Sequence, residues 1–294
     1  MTHPFLDGPW PRAFAHRGWH LGDLAEMENS LSAFRAAANE GYRYIETDVH
    51  ATSDGVAVIH HDASLDRTTD RDGDIAGLPF SEVSRARIAG REPVASLDAA
   101  LEEFPDLLLN IDVKADSAAG PVLRTVRRHN AWGRVCLASF VDRRLTLLRK
   151  VGGPRLLTST GQRGVAALWA WSRLPLAPPP SMLTSLTGFQ WKSGLRFPLR
   201  SGPGLQWKYG QGGERGLIRG AAVQVPARHK GLEVVDERFV GLAHRWGVEV
   251  HVWTVDEPSE MLRLLDLGVD GLVTDRPDLL NQLLRERVGD RAQS

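Results

Sequence analysis

The sequence predicts an α/β fold of the TIM (β/α)8 barrel type, carrying two insertions. Three observations predict it. Apolar runs of strand length alternate with runs of helical character almost throughout, a pattern that implies a parallel sheet. The repeating units number close to eight, which favours a closed barrel over an open doubly wound sheet. Polar residues collect at the ends of the strand-like runs: His16-Arg17, Glu46/Asp48, His61-Asp62, Asp112/Lys114, Trp253 and Asp275. Barrel active sites lie at the C-terminal ends of the strands. A chain of 294 residues suits one such barrel, so residues 1–294 are read as a single domain.

The elements follow in order. Residues 13–16 form a short apolar run ending in His-Arg-Gly. Residues 30–40 predict a helix, with Ser30 as its cap and Leu31, Phe34, Ala37 and Ala38 on one face. Residues 42–49 and 55–61 read as strands, and so does 107–114. A helix over 122–129 and a strand over 134–140 come next. The helix 142–150 and the short strand 155–159 follow. After a long interruption come a strand at 221–226 and a helix at 234–246. The chain then runs through a strand at 249–255, a helix at 259–267 and a strand at 271–275. Pro277 opens the last helix at a position that suits proline.

Two segments break the pattern. Residues 62–98 are polar and turn-rich, and read as a small insertion over the barrel mouth. Residues 161–220 are rich in Trp, Pro and Gly and read as a long insertion. That segment contains Trp169, Trp171, Trp191 and Trp207. A loop this long within a compact domain is usually functional or mobile.

Composition narrows the function. Lys+Arg and Asp+Glu both number 36, so the basic excess of a nucleic-acid binder is missing. A single cysteine, Cys136, excludes a disulfide framework and CxxC metal sites, and its apolar neighbours mark it as a core residue. The first eleven residues lack the pattern of a signal peptide, and no apolar run approaches the roughly 20 residues of a membrane-spanning helix. The expectation is a cytoplasmic protein, with peripheral membrane contact through 161–220 left open, since tryptophan pairs an apolar ring with a polar edge.

Glu46 and Asp48 lie two apart on a predicted strand, so both face the barrel interior. Adjacent buried carboxylates repel and are costly to desolvate, and a divalent cation resolves both problems. Hard oxygen donors favour Mg2+ or Ca2+. The competing role is a pair of exposed carboxylates on an edge strand. Asp112 and Lys114 repeat the spacing, either as a third metal ligand and a cation for a substrate anion, or as a structural ion pair. His16 and His61 each end a strand and suit proton transfer. Arg17 offers a planar fork for a phosphate, and Gly18 allows close backbone approach. The remaining histidines, His20, His50 and His60 among them, are read as structural.

The motif AFAHRG at 13–18, followed by Glu28-Asn29-Ser30, resembles signatures of the glycerophosphodiester phosphodiesterase family. So does YIETDVHATSDGVAVIHHDASLDRTTD at 44–70. VASLDAALEEFP at 94–105, VWTVDE at 252–257 and GVDGLVTDRPD at 268–278 are similar to the family in the same order. The resemblance spans residues 13–280, except 161–220. It implies a TIM barrel that hydrolyses glycerophosphodiesters to an alcohol and glycerol 3-phosphate. It implies metal ligands at Glu46, Asp48 and Asp112, an acid–base pair at His16 and His61, and substrate contacts at Arg17, Glu28, Asn29, Lys114 and Trp253. The family commonly has Glu-x-Lys where this chain has Asp112-Val113-Lys114, one methylene shorter. Two other functions stay open: lysophospholipase D-like action on lysophospholipids, and a barrel that only binds a phosphoester.

Overall fold

The computed structural model describes residues 3–175 and 220–293. Eight parallel strands form the barrel: β1 Arg12–His16, β2 Tyr44–Ala51, β3 Leu108–Val113, β4 Val135–Ala138, β5 Leu157–Thr158, β6 Ala222–Pro226, β7 Glu249–Trp253 and β8 Gly271–Thr274. They pair in the order β5-β4-β3-β2-β1-β8-β7-β6. The ring closes between β5 and β6 through a parallel bridge at Ser159 and Ala222. The Ala221 amide donates to Thr158 O at 2.9 Å and the Thr160 amide donates to Ala222 O at 2.8 Å. All eight residues of β2 are buried, as expected for a strand covered on both faces.

Among the described residues eight helices accompany the barrel strands, α1 Leu31–Asn39, α2 Leu97–Glu103, α3 Ala119–Arg128, α4 Asp142–Gly152, α5 Gln162–Ser172, α6 Glu237–Arg245, α7 Pro258–Asp266 and α8 Pro277–Gln293, and one further helical turn covers Phe80–Val83 in the segment 62–98. Ser30 Oγ accepts from the Ala33 amide, as the sequence predicts, and Ser96 and Asp236 cap α2 and α6 in the same way. Helix α1 buries Ala33, Phe34 and Ala37, while Leu31 and Ala38 are half-buried.

Two expectations need correction. Residues 57–59 do form a strand, but it pairs antiparallel with β2 and is not a barrel stave. The long interruption does not begin at 161, because α5 occupies 162–172 as a barrel helix. Trp171 packs edge-to-face on Trp246 with ring centroids 5.2 Å apart, and Trp169 packs on the same apolar cluster. These two tryptophans are packing residues; Trp191 and Trp207 lie outside the described residues.

The segment 62–98 surrounds a small apolar cluster of Leu65, Ile75, Val83, Ala86, Ile88 and Val94, joined by Met27 and Val58. Apolar side chains fill the lower barrel: Phe14, Tyr44, Leu108, Cys136, Leu157 and Val273, with Phe5 packed beneath. Arg12 and Glu249 start neighbouring parts of that floor and form a two-point ion pair, at 2.7 and 2.6 Å. Above the apolar layer, Gln224 Nε2 donates across the barrel to Asn110 Oδ1 at 2.9 Å. The upper barrel is therefore polar, and the site sits on a rigid packed floor. Among the described residues no helix is long and apolar enough to cross a membrane.

Candidate active site

Strand register sets the carboxylates. Parallel pairing places His16 beside Glu46, and Asp48 beside Asp112. All three acids are nearly inaccessible. Burial raises the Glu46 carboxyl above the ordinary range, and the neighbouring Asp48 charge adds to the effect. Burial also raises Asp112, against the opposing pull of Lys114. Asp48 behaves differently. Burial pushes its carboxyl up, but Lys114, Arg17 and the Asn29 amide more than offset this and hold it low.

Lys114 Nζ lies 2.8 Å from Asp48 Oδ1 and 2.8 Å from Asp112 Oδ2. Glu46 Oε2 and Asp112 Oδ1 are buried with no hydrogen-bond partner among the described residues. An all-oxygen set with unpartnered buried oxygens fits a hard cation such as Mg2+ or Ca2+. In this arrangement the Lys114 ammonium bridges Asp48 and Asp112, and among the described residues no group of three or more acids, histidines or cysteines is drawn together as a metal shell.

Arg17 adopts a left-handed backbone, φ 56°, uncommon for a residue with a side chain. Its amide donates to Glu46 O, and its carbonyl accepts from the Asn29 amide, so the strained turn is held on both sides. Its Nη1 donates to Glu28 Oε1 at 3.0 Å. Its Nε is 3.2 Å from Asp48 Oδ2 but lies off the hydrogen-bonding direction. Gly18, φ 91°, backs against α1: a Cβ there would meet the Ala33 backbone at 2.8 Å. The glycine serves helix packing.

Each candidate histidine has a carboxylate on Nδ1. His16 Nδ1 donates to Asp275 Oδ1 at 2.7 Å, while its Nε2 lies 3.6 Å from Glu46 Oε2. Burial pushes the His16 ring toward neutrality, but Asp275 and Glu46 outweigh it and raise its proton affinity. His61 Nδ1 donates to Asp62 Oδ1 at 2.6 Å.

Residues 16–182 and 207–279 match the sequence model of the glycerophosphoryl diester phosphodiesterase family. The chain belongs to that family, and it is an enzyme of the phosphoric diester hydrolase class. A probable glycerophosphodiester phosphodiesterase of Mycobacterium tuberculosis is 37% identical over 276 residues, covering 94% of this chain and 91% of that protein. A glycerophosphodiester phosphodiesterase of Caldanaerobacter subterraneus is 25% identical over 283 residues, covering 91% and 96%. Among solved structures, an Oleispira antarctica phosphodiesterase in complex with the product sn-glycerol-3-phosphate superposes with a TM-score of 0.68 at 20% identity, covering 94% and 97%. That likeness bears on the fold, and it supports the barrel.

Within this family frame, the other expected residues take distinct places. Asn29 is buried, and both ends of its amide are occupied: Nδ2 donates to Asp48 Oδ2 at 3.0 Å and Oδ1 accepts from Thr47 Oγ1 at 2.7 Å. Glu28 lies between Arg17 and Arg67. Trp253 is half-buried and meets Phe140 edge-to-face at 5.5 Å, with Lys114 Nζ 6.0 Å from the Phe140 ring centre.

The sequence reading passed over four contributors to the site. Asp62 and Asp275 were visible as strand-end acids but received no role. His20, read as structural, shares Asp275 Oδ1 with His16, at 3.2 Å through Nε2. Arg67 stands within the family-like motif at 44–70 but received no role. His50 and His60 do behave structurally: His50 Nε2 donates to His61 O, and His60 Nδ1 donates to Asp62 O.

Proposed function

We propose that this chain hydrolyses glycerophosphodiesters to an alcohol and glycerol 3-phosphate, using His16 and His61 as its acid–base pair and a divalent metal as cofactor. The observation that carries the reading is the pair of imidazoles, each fixed by a carboxylate at Nδ1, at the mouth that also holds Glu46, Asp48 and Asp112. A ring anchored through Nδ1–H presents Nε2 for proton transfer. One ring accepts the proton of the nucleophile, either water or a glycerol hydroxyl of the substrate, whose cyclic phosphate product water then opens to glycerol 3-phosphate. The other returns a proton to the departing alkoxide as the phosphorus–oxygen bond breaks. Arg17 and Lys114 hold the phosphate and balance its charge.

The metal would be held by Glu46, Asp48 and Asp112, and when bound supplies Lewis-acid stabilisation of charge on phosphate oxygens. Asn29 keeps Asp48 oriented. The test is turnover of glycerophosphocholine with Mg2+ or Ca2+. Chelation is expected to abolish it, and His16→Ala and His61→Ala each to remove at least about 100-fold. Activity that survives both substitutions would sink the two-histidine reading.

A second reading replaces the small diester with a lysophospholipid. It is favoured by Phe140, an aromatic ring half open to solvent against Trp253. A mouse lysophospholipase D, 25% identical over 296 residues, is also among the relatives, covering 93% of this chain and 86% of that protein. Co-sedimentation with liposomes and release of choline from lysophosphatidylcholine separate the two substrates. The binding-only barrel is disfavoured because both histidines and both carboxylates of the Glu46-x-Asp48 pair are retained.

A further inference from the structure

Arg67 lies in the turn-rich segment after His61, outside the barrel, with about half of its side chain exposed. Its Nε donates to Asp62 Oδ2 at 2.5 Å, and its Nη2 donates to Glu28 Oε1 at 2.6 Å. Each of those carboxylates also holds a residue of the site. Asp62 Oδ1 accepts from His61 Nδ1 at 2.6 Å, and Glu28 Oε1 accepts from Arg17 Nη1 at 3.0 Å. One continuous chain of charged groups thus runs His61–Asp62–Arg67–Glu28–Arg17.

We propose that Arg67 is a positioning residue that sets His61 and Arg17 in mutual register through Asp62 and Glu28. The inference rests on the reading of His61 as an acid–base group and Arg17 as a phosphate ligand. It makes the segment 62–98 a working part of the active site.

Three observations support it. The guanidinium is a rigid planar fork, so one group fixes the angle between two acceptors, which an ammonium on a flexible stem does not do. The neighbouring Thr68 hydroxyl donates to His60 Nε2 at 2.9 Å, and His60 Nδ1 donates to Asp62 O at 2.9 Å. Residues 67 and 68 therefore grip the 60–62 turn at both backbone and side chain. Finally, Arg67 is the largest single cause holding the Asp62 carboxyl far below the ordinary range, so Arg67 and the acceptor of His61 are strongly coupled.

The exposure of Arg67 makes the inference testable. Half-exposed ion pairs add little to stability, so substitution leaves the fold intact. A small misplacement of a reacting group, by contrast, costs up to about 100-fold in rate. The experiment is steady-state kinetics of the full chain on glycerophosphocholine with Mg2+, alongside thermal melts.

Arg67→Gln is expected to lower kcat by about 10- to 100-fold, with KM within about 3-fold and an unchanged melting temperature. Arg67→Lys should fall between the two. Guanidinium ion should restore part of the activity of Arg67→Ala. Arg67→Gln combined with Asp62→Asn should be barely slower than Asp62→Asn alone, because both act along one chain. Unchanged kcat in Arg67→Gln overturns the proposal, as does a rise in KM alone, which would mean that Arg67 touches the substrate. Full additivity with Asp62→Asn overturns it too. An inactive wild type, or full activity in His61→Ala, removes the functional reading first and this inference with it.

Discussion

Asp275 Oδ1 accepts from His16 Nδ1 at 2.7 Å across 259 residues of sequence. The contact exists because β1 and β8 are neighbours, paired from Arg12–Gly271 to Ala15–Thr274. The residues that follow these two strands therefore meet at the same mouth. A carboxylate on Nδ1 fixes the tautomer and stabilises the protonated ring. Asp275→Asn keeps the shape but removes the charge. It is expected to lower kcat by about 100-fold, with a smaller effect on KM. Steady-state kinetics checks this, and wild-type turnover in the variant would remove Asp275 from the mechanism.

Lys114 sits between two buried acids, 2.8 Å from each. Burial lowers its proton affinity, but Asp48 and Asp112 more than offset this, so it stays charged. Lys114→Met leaves both aspartates without that cation. Removing one partner from a buried ion cluster costs about 3 kcal/mol. In chelator, the variant is therefore expected to melt several degrees below wild type. Added Mg2+ or Ca2+ should raise its melting temperature more than that of wild type, because the cation then relieves the larger repulsion. Equal melting temperatures in chelator would count against this account.

The shared buried face of Glu46 and Asp48 was legible because strand parity is local: two carboxylates two residues apart must share a face, and an apolar flank says which face is buried. Asp112 joins them only through the register of β2 and β3. The barrel was legible for the same reason, since each unit announces itself by its own period. Contacts such as His16–Asp275 depend on ring closure, which no local pattern encodes. Asn29 was expected at the substrate because its motif is near the site, yet its left-handed backbone, φ 60°, turns the amide onto Asp48. Helix α5 went unseen because QRGVAALWAWS carries an internal glycine and lacks a clean apolar stripe, so its Pro- and Trp-rich surroundings dominated the reading.

Gly18 was expected to serve close approach to a phosphate, but the nearest constraint is α1. With φ 91° and Ala33 backbone 2.8 Å from where a Cβ would stand, alanine meets both backbone strain and a clash. Gly18→Ala is expected to destabilise the fold by about 2 kcal/mol or more. Because Gly18 adjoins Arg17, the same change should also lower kcat. Denaturant unfolding measures the first effect, and a stability within about 0.5 kcal/mol of wild type would contradict it.

The far end of the barrel offers a stability test that is independent of catalysis. Arg12 is almost fully buried and donates to both oxygens of Glu249, to Tyr44 Oη at 2.9 Å and to Leu6 O at 2.8 Å. Burial pushes the Glu249 carboxyl up, but Arg12 and His251 prevail and bring it from 4.5 down to about 2. A carboxylate with a depressed folded-state value stabilises the protein at pH above its unfolded value. That stabilisation is lost as pH falls from about 4.5 through about 2, and amounts to roughly 3 kcal/mol. Glu249→Gln should therefore cost about that much at pH 7, and the gap from wild type should close steadily below pH 4.5. Turnover of any folded fraction should be unchanged, since Arg12 and Glu249 begin β1 and β7 while the site lies at the opposite strand ends. Urea unfolding of both proteins from pH 7 to pH 2.5 checks it. A gap that stays constant over that range would mean that the Glu249 charge contributes nothing to the fold.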